Sequence, residues 1–206
     1  ILIILIKKKS FASSLPHPGD LRPISICNSS MRIINFALTN RLLPIANRII
    51  SPPQQALPDR SIHRNIHTAR MISEYLSKAT PSESNLLLID IAKAFDKLSH
   101  RYLFLLIQHL KFPRSITSLI ITMHHSKARL LQNNLILDTA ISTNTGVRQG
   151  FPISPVVFNL AIEPFIHKLQ STLIGITMFF DHNPSTHFIT AKVLAYADDI
   201  ITFNHN

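Results

Sequence analysis

Acidic residues are scarce in this sequence, so basic residues determine the sign of its net charge. Among 206 residues, 11 are Asp or Glu and 21 are Lys or Arg, which leaves a formal net charge of +10 at pH 7. This balance favours a polyanionic partner, either nucleic acid or an acidic membrane surface. A soluble protein that is merely basic is the alternative on composition alone.

Cysteine is almost absent, because Cys27 is the only one. A single thiol excludes a disulfide framework and a zinc site built from thiolates. The sequence is therefore typical of a reduced, intracellular environment. The 11 histidines match no metal-ligand spacing. We expect the adjacent pair His124 and His125, late in a predicted helix, to be solvated or to cap that helix.

The sequence begins with only a short hydrophobic run. Six apolar residues, ILIILI, are followed by three lysines. A membrane-spanning helix needs about 20 such residues, and a signal peptide carries its positive charges before the apolar run. We therefore expect a buried strand followed by a basic turn. Because the chain does not start with Met, we also expect it to be a piece of a longer protein.

Glycine is rare as well, with 4 residues against 13 prolines, so prolines mark most boundaries. Hydrophobic spacing predicts helices over 29–50, 61–78, 99–112, 113–126 and 154–171. Apolar runs predict strands at 1–6 and 85–91, a hairpin over 128–142, and strands within 174–180 and 186–203. The segments 13–23 and 51–60 are predicted to be irregular. Without regular βαβ alternation, this pattern predicts an α+β fold with a largely antiparallel sheet.

Local signals refine some of these boundaries. We expect the first helix to be capped by Ser29 or Ser30 and to break near Pro44, and Ser99 to cap the third. The last helix is expected to start with Ser154 as its cap and to kink at Pro164. The strand over 85–91 is expected to be buried.

Two adjacent aspartates, Asp198 and Asp199, interrupt the apolar stretch KVLAYADDIITF. Neighbouring side chains on a strand point to opposite faces, so the two carboxylates can share a site only where a strand ends or turns. Burying an unpaired carboxylate is costly, and Mg²⁺, which prefers carboxylate oxygens, would offset that cost. An ordinary hairpin turn is the alternative, because Asp is common in turns.

Two further segments could contribute to such a site. Asp90 ends the predicted strand LLLID and could supply a third carboxylate, or it could cap the segment that follows. In GVRQGFPISP, Gly146 and Gly150 bracket Arg148 and Gln149 just before a predicted helix. Such a loop allows a ligand to approach closely, and a helix N-terminus favours phosphate. An ordinary junction between loop and helix is the alternative.

These segments, in this order, resemble the motifs of a known family. LLLIDIAKAFDKLSH, GVRQGFPISPVVFNLAIEPF and AYADDI resemble successive motifs of reverse transcriptases, above all those of non-LTR (LINE-type) retrotransposons. LRPISICNSSMRIINFALTNRL and QQALPDRSIHRNI resemble the upstream fingers motifs. The resemblance runs from about Lys7 to Phe203. Two departures are the missing glycine before Arg60 and the bulky Phe151 after RQG.

The resemblance implies the fingers and palm of a right-hand polymerase, with an antiparallel palm sheet packed on helices. The fingers-like region would be 1–84, and the palm-like region, with inserted fingers elements, would be 85–206. The chain stops just after YADD, so we expect the thumb to be missing from it.

The resemblance also implies roles for individual residues. Asp90, Asp198 and Asp199 would be catalytic and would bind two Mg²⁺ ions, for which Mn²⁺ can substitute. Tyr196 and Ala197 would lie near the primer end.

Nucleotide binding is implied for four further residues. Phe95 would lie under the incoming sugar, Gln149 would contact the nucleotide, and Arg22 would bind its triphosphate. Lys9 would assist Arg22, although the run of three lysines leaves Lys7 and Lys8 as alternatives. Lys93 and Asp96 also match the family motif and are expected to be structural, in local salt bridges or caps.

The activity implied is RNA-directed DNA polymerisation, with an RNA template, a DNA primer and dNTPs as partners and no membrane. The element type would place it in the nucleus, although the sequence shows no nuclear signal. One alternative is an inactive retrotransposon remnant that at most binds nucleic acid. Another, an RNA-dependent RNA polymerase, is disfavoured by ADD in place of GDD and by the bulky Phe95.

Overall fold

A computed structural model of the chain describes residues 1–7, 21–78, 84–132, 134–179 and 188–205. The helices are α1 Ser29–Ile49, α2 Ile62–Lys78, α3 Ala94–Lys97, α4 His100–His109, α5 Arg114–His125 and α6 Ser154–Thr172. The strands are β1 Leu2–Lys7, β2 Leu21–Ile26, β3 Ser84–Asp90, β4 Ala128–Gln132, β5 Leu135–Ile141, β6 Ile176–Phe179, β7 Phe188–Ala191, β8 Val193–Tyr196 and β9 Asp199–His205. Lys8, Lys9 and the segment 13–20 lie outside the described residues.

Helices and antiparallel sheets are mixed along the chain, which confirms the predicted α+β class. Strand pairs are antiparallel throughout the three described sheets, except that β1 and β4 run parallel. In the described ranges, no helix is long and apolar enough to cross a membrane.

One compact unit is formed by Ile1–Leu42 together with Lys93–Val157. Its sheet has the strand order β2-β1-β4-β5. Helix α4 packs against α5, and each contributes an apolar face to the interior. Leu103 and Ile107 of α4 and Ile120 and Met123 of α5 are buried. The spacing of four and three residues places each pair on one face of its helix.

The other compact unit is formed by Leu43–Ala92 together with Phe158–Asn206. It contains a three-stranded sheet of order β3-β9-β8 and the separate pair β6-β7. Apolar side chains from α2 and from both sheets form its core cluster, which consists of Ile72, Ile176, Met178, Ala191, Leu194 and Phe203. The assignment of 1–84 to fingers and of 85–206 to palm stays a prediction, because compactness does not define a polymerase role.

Several local predictions were wrong. Helix α1 runs through Pro44 without a break, and α6 also continues through Pro164, where the expected kink stays a prediction. Both prolines are exposed, and each removes only one intrahelical hydrogen bond. The cap of α1 is Asn28, whose Oδ1 accepts the Met31 N–H at 2.9 Å. Ser154 is the first residue of α6 and not its cap, and its hydroxyl donates to the Arg148 carbonyl at 2.6 Å.

The predicted strand over 85–91 exists as β3, but it is not buried. Leu86, Leu87 and Leu88 are 55%, 59% and 69% exposed. The reason is topological, because among the described strands β3 lies at the edge of its sheet with β9 as its one partner. The segment 21–23, predicted to be part of a loop, belongs instead to β2, which pairs with β1.

Candidate active site

Two of the three predicted catalytic aspartates face each other across a strand pair. Asp90, the last residue of β3, is the direct partner of Asp199, the first residue of β9. On its other side, Asp199 is the partner of Tyr196, the last residue of β8. Directly opposite residues project to the same face of a sheet. Tyr196, Asp199 and Asp90 therefore form one row at the end of the sheet, and all three are exposed.

The third aspartate lies in the turn beside this row. Strand β8 ends at Tyr196 and β9 begins at Asp199, so Ala197 and Asp198 are the two residues of the hairpin turn. Ala197 has φ 54°, in the left-handed region that L-residues rarely adopt. The turn explains how two adjacent carboxylates can approach one site, because only Asp199 is part of a strand.

Asp90 is not a helix cap. Helix α3 begins at Ala94, with Lys93 at the N-cap position, and no side chain accepts a capping hydrogen bond there. The alternative considered for Asp90 is therefore wrong. Lys93, which was expected to be structural, has φ 56° at this position.

The donor set of this row suits a magnesium ion that shares its ligands with a substrate. Mg²⁺ is usually bound by one or two carboxylates together with water and substrate phosphates, and Asp90 and Asp199 supply two carboxylates on one face. Within the described residues, no group of three or more His, Cys, Asp or Glu side chains is arranged to hold a metal ion. The protein thus offers a partial, open site.

Three of the predicted nucleotide-binding residues, Arg22, Phe95 and Gln149, lie in the other compact unit, and the hydrogen bonds of Gln149 connect their elements. The Gln149 carbonyl accepts the N–H of Ser25 in β2 at 2.8 Å. Its side-chain Nε2 donates to Oδ1 of Asp96 at 3.0 Å. Arg22 lies in the same strand as Ser25 and is exposed. Asp96, expected to be structural, therefore orients the Gln149 amide.

Phe95 is joined to the same loop through its backbone. Its carbonyl accepts the N–H of Val147 at 2.7 Å, and the N–H of Gly146 donates to the Leu98 carbonyl at 2.7 Å. Gly146 has φ 85°, and a Cβ there would lie 2.7 Å from the carbonyl oxygen of Asp96. Only glycine allows this approach. The loop therefore brings Phe95 and Gln149 together, and Arg22 is connected to Gln149 through β2.

Arg148 is a buried anchor of this loop. Its Nε donates to the Met123 carbonyl at 3.3 Å, and Nη2 donates to the carbonyls of His124 and Ser126 and to the Thr143 hydroxyl. These carbonyls lie at the C-terminal end of α5, where cations are favoured. Burial lowers the pKa of the Arg148 guanidinium. The side chain is thus committed to holding α5 and the loop together.

Two buried histidines lie against the same loop. The Nε2 of His100 is 2.7 Å from the Gly146 carbonyl oxygen, and burial lowers the pKa of His100. His124 is 1% exposed, and in the described part of the chain neither of its ring nitrogens has a hydrogen-bond partner. Burial lowers the pKa of His124 from 6.5 to about 4. The prediction that His124 is solvated or capping was wrong, and only His125 is exposed.

Sequence reasoning missed the residues that hold the aspartate hairpin. The irregular segment 51–56 runs along β8, where the Pro53 carbonyl accepts the Ala195 N–H at 3.0 Å. Asn65 of α2 donates to the Ala195 carbonyl at 2.9 Å. The resemblance of QQALPDRSIHRNI to a fingers motif was the one signal that pointed to this segment.

The comparison with known proteins identifies the family. The sequence profile of the family described as "Reverse transcriptase (RNA-dependent DNA polymerase)" matches residues 6–206. The chain belongs to the reverse transcriptase family. This assignment is evidence against the alternative of an RNA-dependent RNA polymerase.

Relatives of this reverse transcriptase domain are retrotransposon proteins. It is 31% identical over 201 residues to the transposon TX1 uncharacterized 149 kDa protein of Xenopus laevis, covering 94% of this chain and 15% of that protein. It is 26% identical over 196 residues to a Pol polyprotein from the retrotransposable element R2 of Popillia japonica, covering 93% of this chain and 26% of that protein. The resemblance to non-LTR retrotransposons is confirmed, and the chain spans 15% to 26% of the length of these relatives.

Solved structures show the fold. The telomerase of Candida albicans, in complex with a fragment of telomeric RNA, matches with a TM-score of 0.63 and 12% identity, covering 100% of this chain and 36% of that chain. An apo telomerase of Candida tropicalis matches with a TM-score of 0.61 and 12% identity, covering 99% and 43%. This likeness confirms the predicted right-hand polymerase fold.

Proposed function

We propose that this reverse transcriptase domain performs RNA-directed DNA synthesis, transferring a nucleotide from a dNTP to the 3′-hydroxyl of a DNA primer on an RNA template. The observation that carries the proposal is the placement of Asp90 opposite Asp199, next to the turn that contains Asp198. In a member of this family, three carboxylates at one end of a sheet are most simply explained by metal-dependent nucleotidyl transfer. Because its relatives are proteins of non-LTR retrotransposons, the nucleus is the expected site of action.

Asp90, Asp198 and Asp199 would hold the divalent ions. When bound, Mg²⁺ lowers the pKa of the primer hydroxyl and stabilises the negative charge of the leaving pyrophosphate. The protein contributes the negative charge and the placement, since the pairing of β3 with β9 fixes Asp90 against Asp199. Because the side chains of Asp90 and Asp199 are exposed, substrate phosphates can reach the ions and complete their coordination.

The nucleotide would be bound by residues joined through the Gln149 loop. The exposed guanidinium of Arg22 would bind the triphosphate, since its planar fork suits phosphate oxygens. Lys9, or its neighbour Lys7 or Lys8, would assist it. The ring of Phe95 would lie under the sugar and exclude a 2′-hydroxyl, and Gln149 would contact the nucleotide.

The primer end would lie near the hairpin turn. Tyr196 stands next to Asp199 in the row of the sheet, and Ala197 follows it in the turn. The exposed ring of Tyr196 offers an apolar surface on the same face as the carboxylates, which suits contact with the terminal primer nucleotide.

An inactive remnant that only binds nucleic acid is the second candidate, and the net charge of +10 would suffice for such binding. Binding through charge alone needs no carboxylates and weakens steeply with salt. The two candidates therefore differ in catalysis and not in nucleic-acid affinity.

Primer extension separates them. The 206-residue chain would be incubated with primed poly(rA), labelled dTTP and Mg²⁺ or Mn²⁺, beside the double variant Asp198→Asn, Asp199→Asn and the matched control Asp138→Asn, an exposed aspartate of β5. We expect extension by the wild type and the control and none by the double variant. If none of the three folded proteins extends the primer, polymerisation by this chain alone is refuted, and binding to the primed template would then favour the remnant.

A further inference from the structure

The amide of Gln54 holds both backbone groups of Ala197 in the aspartate hairpin. The Ala197 N–H donates to Gln54 Oε1 at 2.8 Å, and Gln54 Nε2 donates to the Ala197 carbonyl at 3.1 Å. Gln54 is fully buried, with 0% exposure. One side chain thus presents a donor and an acceptor to the same residue, which an uncharged amide can do through its two terminal atoms.

Gln54 is itself held firmly by its own segment. Its Oε1 also accepts the Ala56 N–H at 3.1 Å. Arg60 donates to the Gln54 carbonyl at 2.7 Å and to the Ser51 carbonyl at 2.6 Å, and it reaches the Ile50 carbonyl at 2.8 Å. The arginine therefore ties the backbone of Gln54 to the end of α1.

The same segment is also bonded to β8, the strand that leads into the turn. The Gln55 N–H donates to the Ala195 carbonyl at 2.9 Å, and the Ala195 N–H donates to the Pro53 carbonyl at 3.0 Å. These backbone bonds fix the register of the segment against β8. As a result, the Gln54 side chain reaches the turn residue two positions further on.

Ala197 needs this support because of its backbone conformation. Its φ of 54° is one that an alanine rarely adopts, and such a conformation persists only where the surroundings enforce it. Without the two bonds from Gln54, the turn could relax to other conformations. The position of Asp198, the next residue, would change with it.

We propose that Gln54 is a positioning residue that locks the turn at Ala197 and so fixes Asp198 and Asp199 for metal binding. The role of Gln54 in metal binding rests on the proposed function. The positioning of the turn by the two bonds from Gln54 to Ala197, called the lock, does not. Gln54 acts on the aspartates through Ala197, whose N–H and carbonyl it binds.

The test removes the amide while keeping the volume of the side chain. Gln54→Met loses both bonds to Ala197. Gln54→Glu, when ionised, keeps the acceptor for the Ala197 N–H but cannot donate to its carbonyl. The matched control is Gln55→Met, because Gln55 is also a buried glutamine, and within the described residues its amide bonds only to Pro52 and Ser61 of its own segment.

Two measurements follow on the ¹⁵N-labelled 206-residue chain. Hydrogen exchange of the Ala197 amide should accelerate by about tenfold or more in Gln54→Met, since a lost hydrogen bond opens the turn locally. The affinity of Gln54→Met for Mn²⁺, measured from the electron paramagnetic resonance signal of the free ion, should be several-fold lower than that of the wild type. Gln54→Glu should fall between the wild type and Gln54→Met, and Gln55→Met should match the wild type.

The outcomes separate the lock from the proposed function. Equal exchange of the Ala197 amide in Gln54→Met and the wild type would overturn the lock, as would the same acceleration in Gln55→Met. If Gln54→Met does not fold by circular dichroism, Gln54→Glu decides by the same criterion. If exchange accelerates in Gln54→Met but the wild type binds no Mn²⁺, the lock is supported and its role in metal binding is overturned.

Discussion

Asp90 and Asp199 are directly opposite each other on the neighbouring strands β3 and β9. Like charges in this relationship destabilise a sheet, so folding alone does not explain why both positions are acidic. A divalent cation between the two strands reverses the sign of the interaction. Both side chains are also exposed to solvent at this end of the sheet. A metal site that takes its remaining ligands from a substrate requires such exposure.

The first prediction concerns this pair. Asp199→Asn removes one of two facing charges, so we expect the free energy of unfolding without metal to rise by a few tenths of a kcal/mol, about the size of a cross-strand charge effect. Primer extension should be lost. Millimolar Mg²⁺ should raise the melting temperature of the wild type and leave that of the variant unchanged, because binding to the folded state is what stabilises it.

Asp138→Asn, in the exposed strand β5, is the control for this experiment. It removes the same charge from the chain without touching the pair. An equal rise of the melting temperature with Mg²⁺ in the wild type and in Asp199→Asn would show that the ion binds elsewhere.

The second prediction concerns Gly146, where a Cβ would lie 2.7 Å from the Asp96 carbonyl oxygen. Gly146→Ala should lower the free energy of unfolding by about 1–3 kcal/mol, through the clash and the positive φ. Because the loop carries Gln149 and bonds to Phe95, the KM for dTTP should also rise.

Gly175→Ala is the matched comparison, since Gly175 has φ 88° and a Cβ there would lie 2.8 Å from the Ala191 carbonyl oxygen. It should lose similar stability while leaving the KM for dTTP unchanged. A similar rise of KM in both variants would mean that lost stability, and not the loop, controls nucleotide binding.

Local signals in the sequence were sufficient to predict the hairpin that carries the aspartates. An apolar run interrupted by two acids indicates that a strand ends or turns there, and the turn, formed by Ala197 and Asp198, contains one of the two aspartates while Asp199 begins β9. Ser99 likewise caps α4, where its hydroxyl accepts the Tyr102 N–H. In each case the decisive contacts join residues that are close in the chain, which is why the pattern alone reveals them.

Contacts between distant residues could not be predicted in this way. Gln54 and Ala197 are 143 positions apart, and nothing in an irregular proline-rich segment indicates which strand it will follow. The burial of His124 was missed for a related reason, because a histidine late in a helix is usually solvated, and only the tertiary packing around α5 encloses it. The exposure of Leu88 depends on which strand forms the sheet edge, and this too is a property of topology.

The third prediction concerns Arg148. Arg148→Met leaves the carbonyls of Met123, His124 and Ser126 without their shared donor, so we expect a loss of about 2–3 kcal/mol in the free energy of unfolding. Arg148→Lys should restore little of it, because an ammonium group cannot reproduce the planar fork of the guanidinium. Urea denaturation measures both, with Arg129→Met, an exposed arginine of β4, as the control.

A loss in Arg129→Met as large as that in Arg148→Met would contradict the anchoring role. So would full recovery by lysine, because it would show that charge alone, and not the geometry of the fork, stabilises the end of α5.

The last prediction is a loss of stability in mild acid that originates at His124. Burial lowers the pKa of His124 in the folded state to about 4, with smaller contributions from His100, Arg148 and His125. In the unfolded chain the pKa is 6.5, so protons bind preferentially to the unfolded state between these values. Stability is therefore complete above pH 6.5 and falls as the pH drops toward 4, by about 2 kcal/mol between pH 7.5 and pH 5.

Other buried groups modify this dependence in known directions. Burial also lowers the pKa of His100, which adds to the loss in acid. Burial raises the pKa of Glu163, so that its contribution to stability is present at low pH and declines as the pH rises through the folded value. Replacing His124 isolates its own share, because Leu has a similar volume and does not titrate.

The free energy of unfolding of the wild type and of His124→Leu would be measured in urea at pH 7.5 and pH 5. We expect the difference between the two pH values to shrink by about 2 kcal/mol in the variant. The same replacement at His109, which is exposed near the end of α4, should leave the difference as in the wild type. If His124→Leu retains the full loss in acid, the proton that destabilises the fold binds at another residue, and the burial of His124 is then without consequence for stability in this pH range.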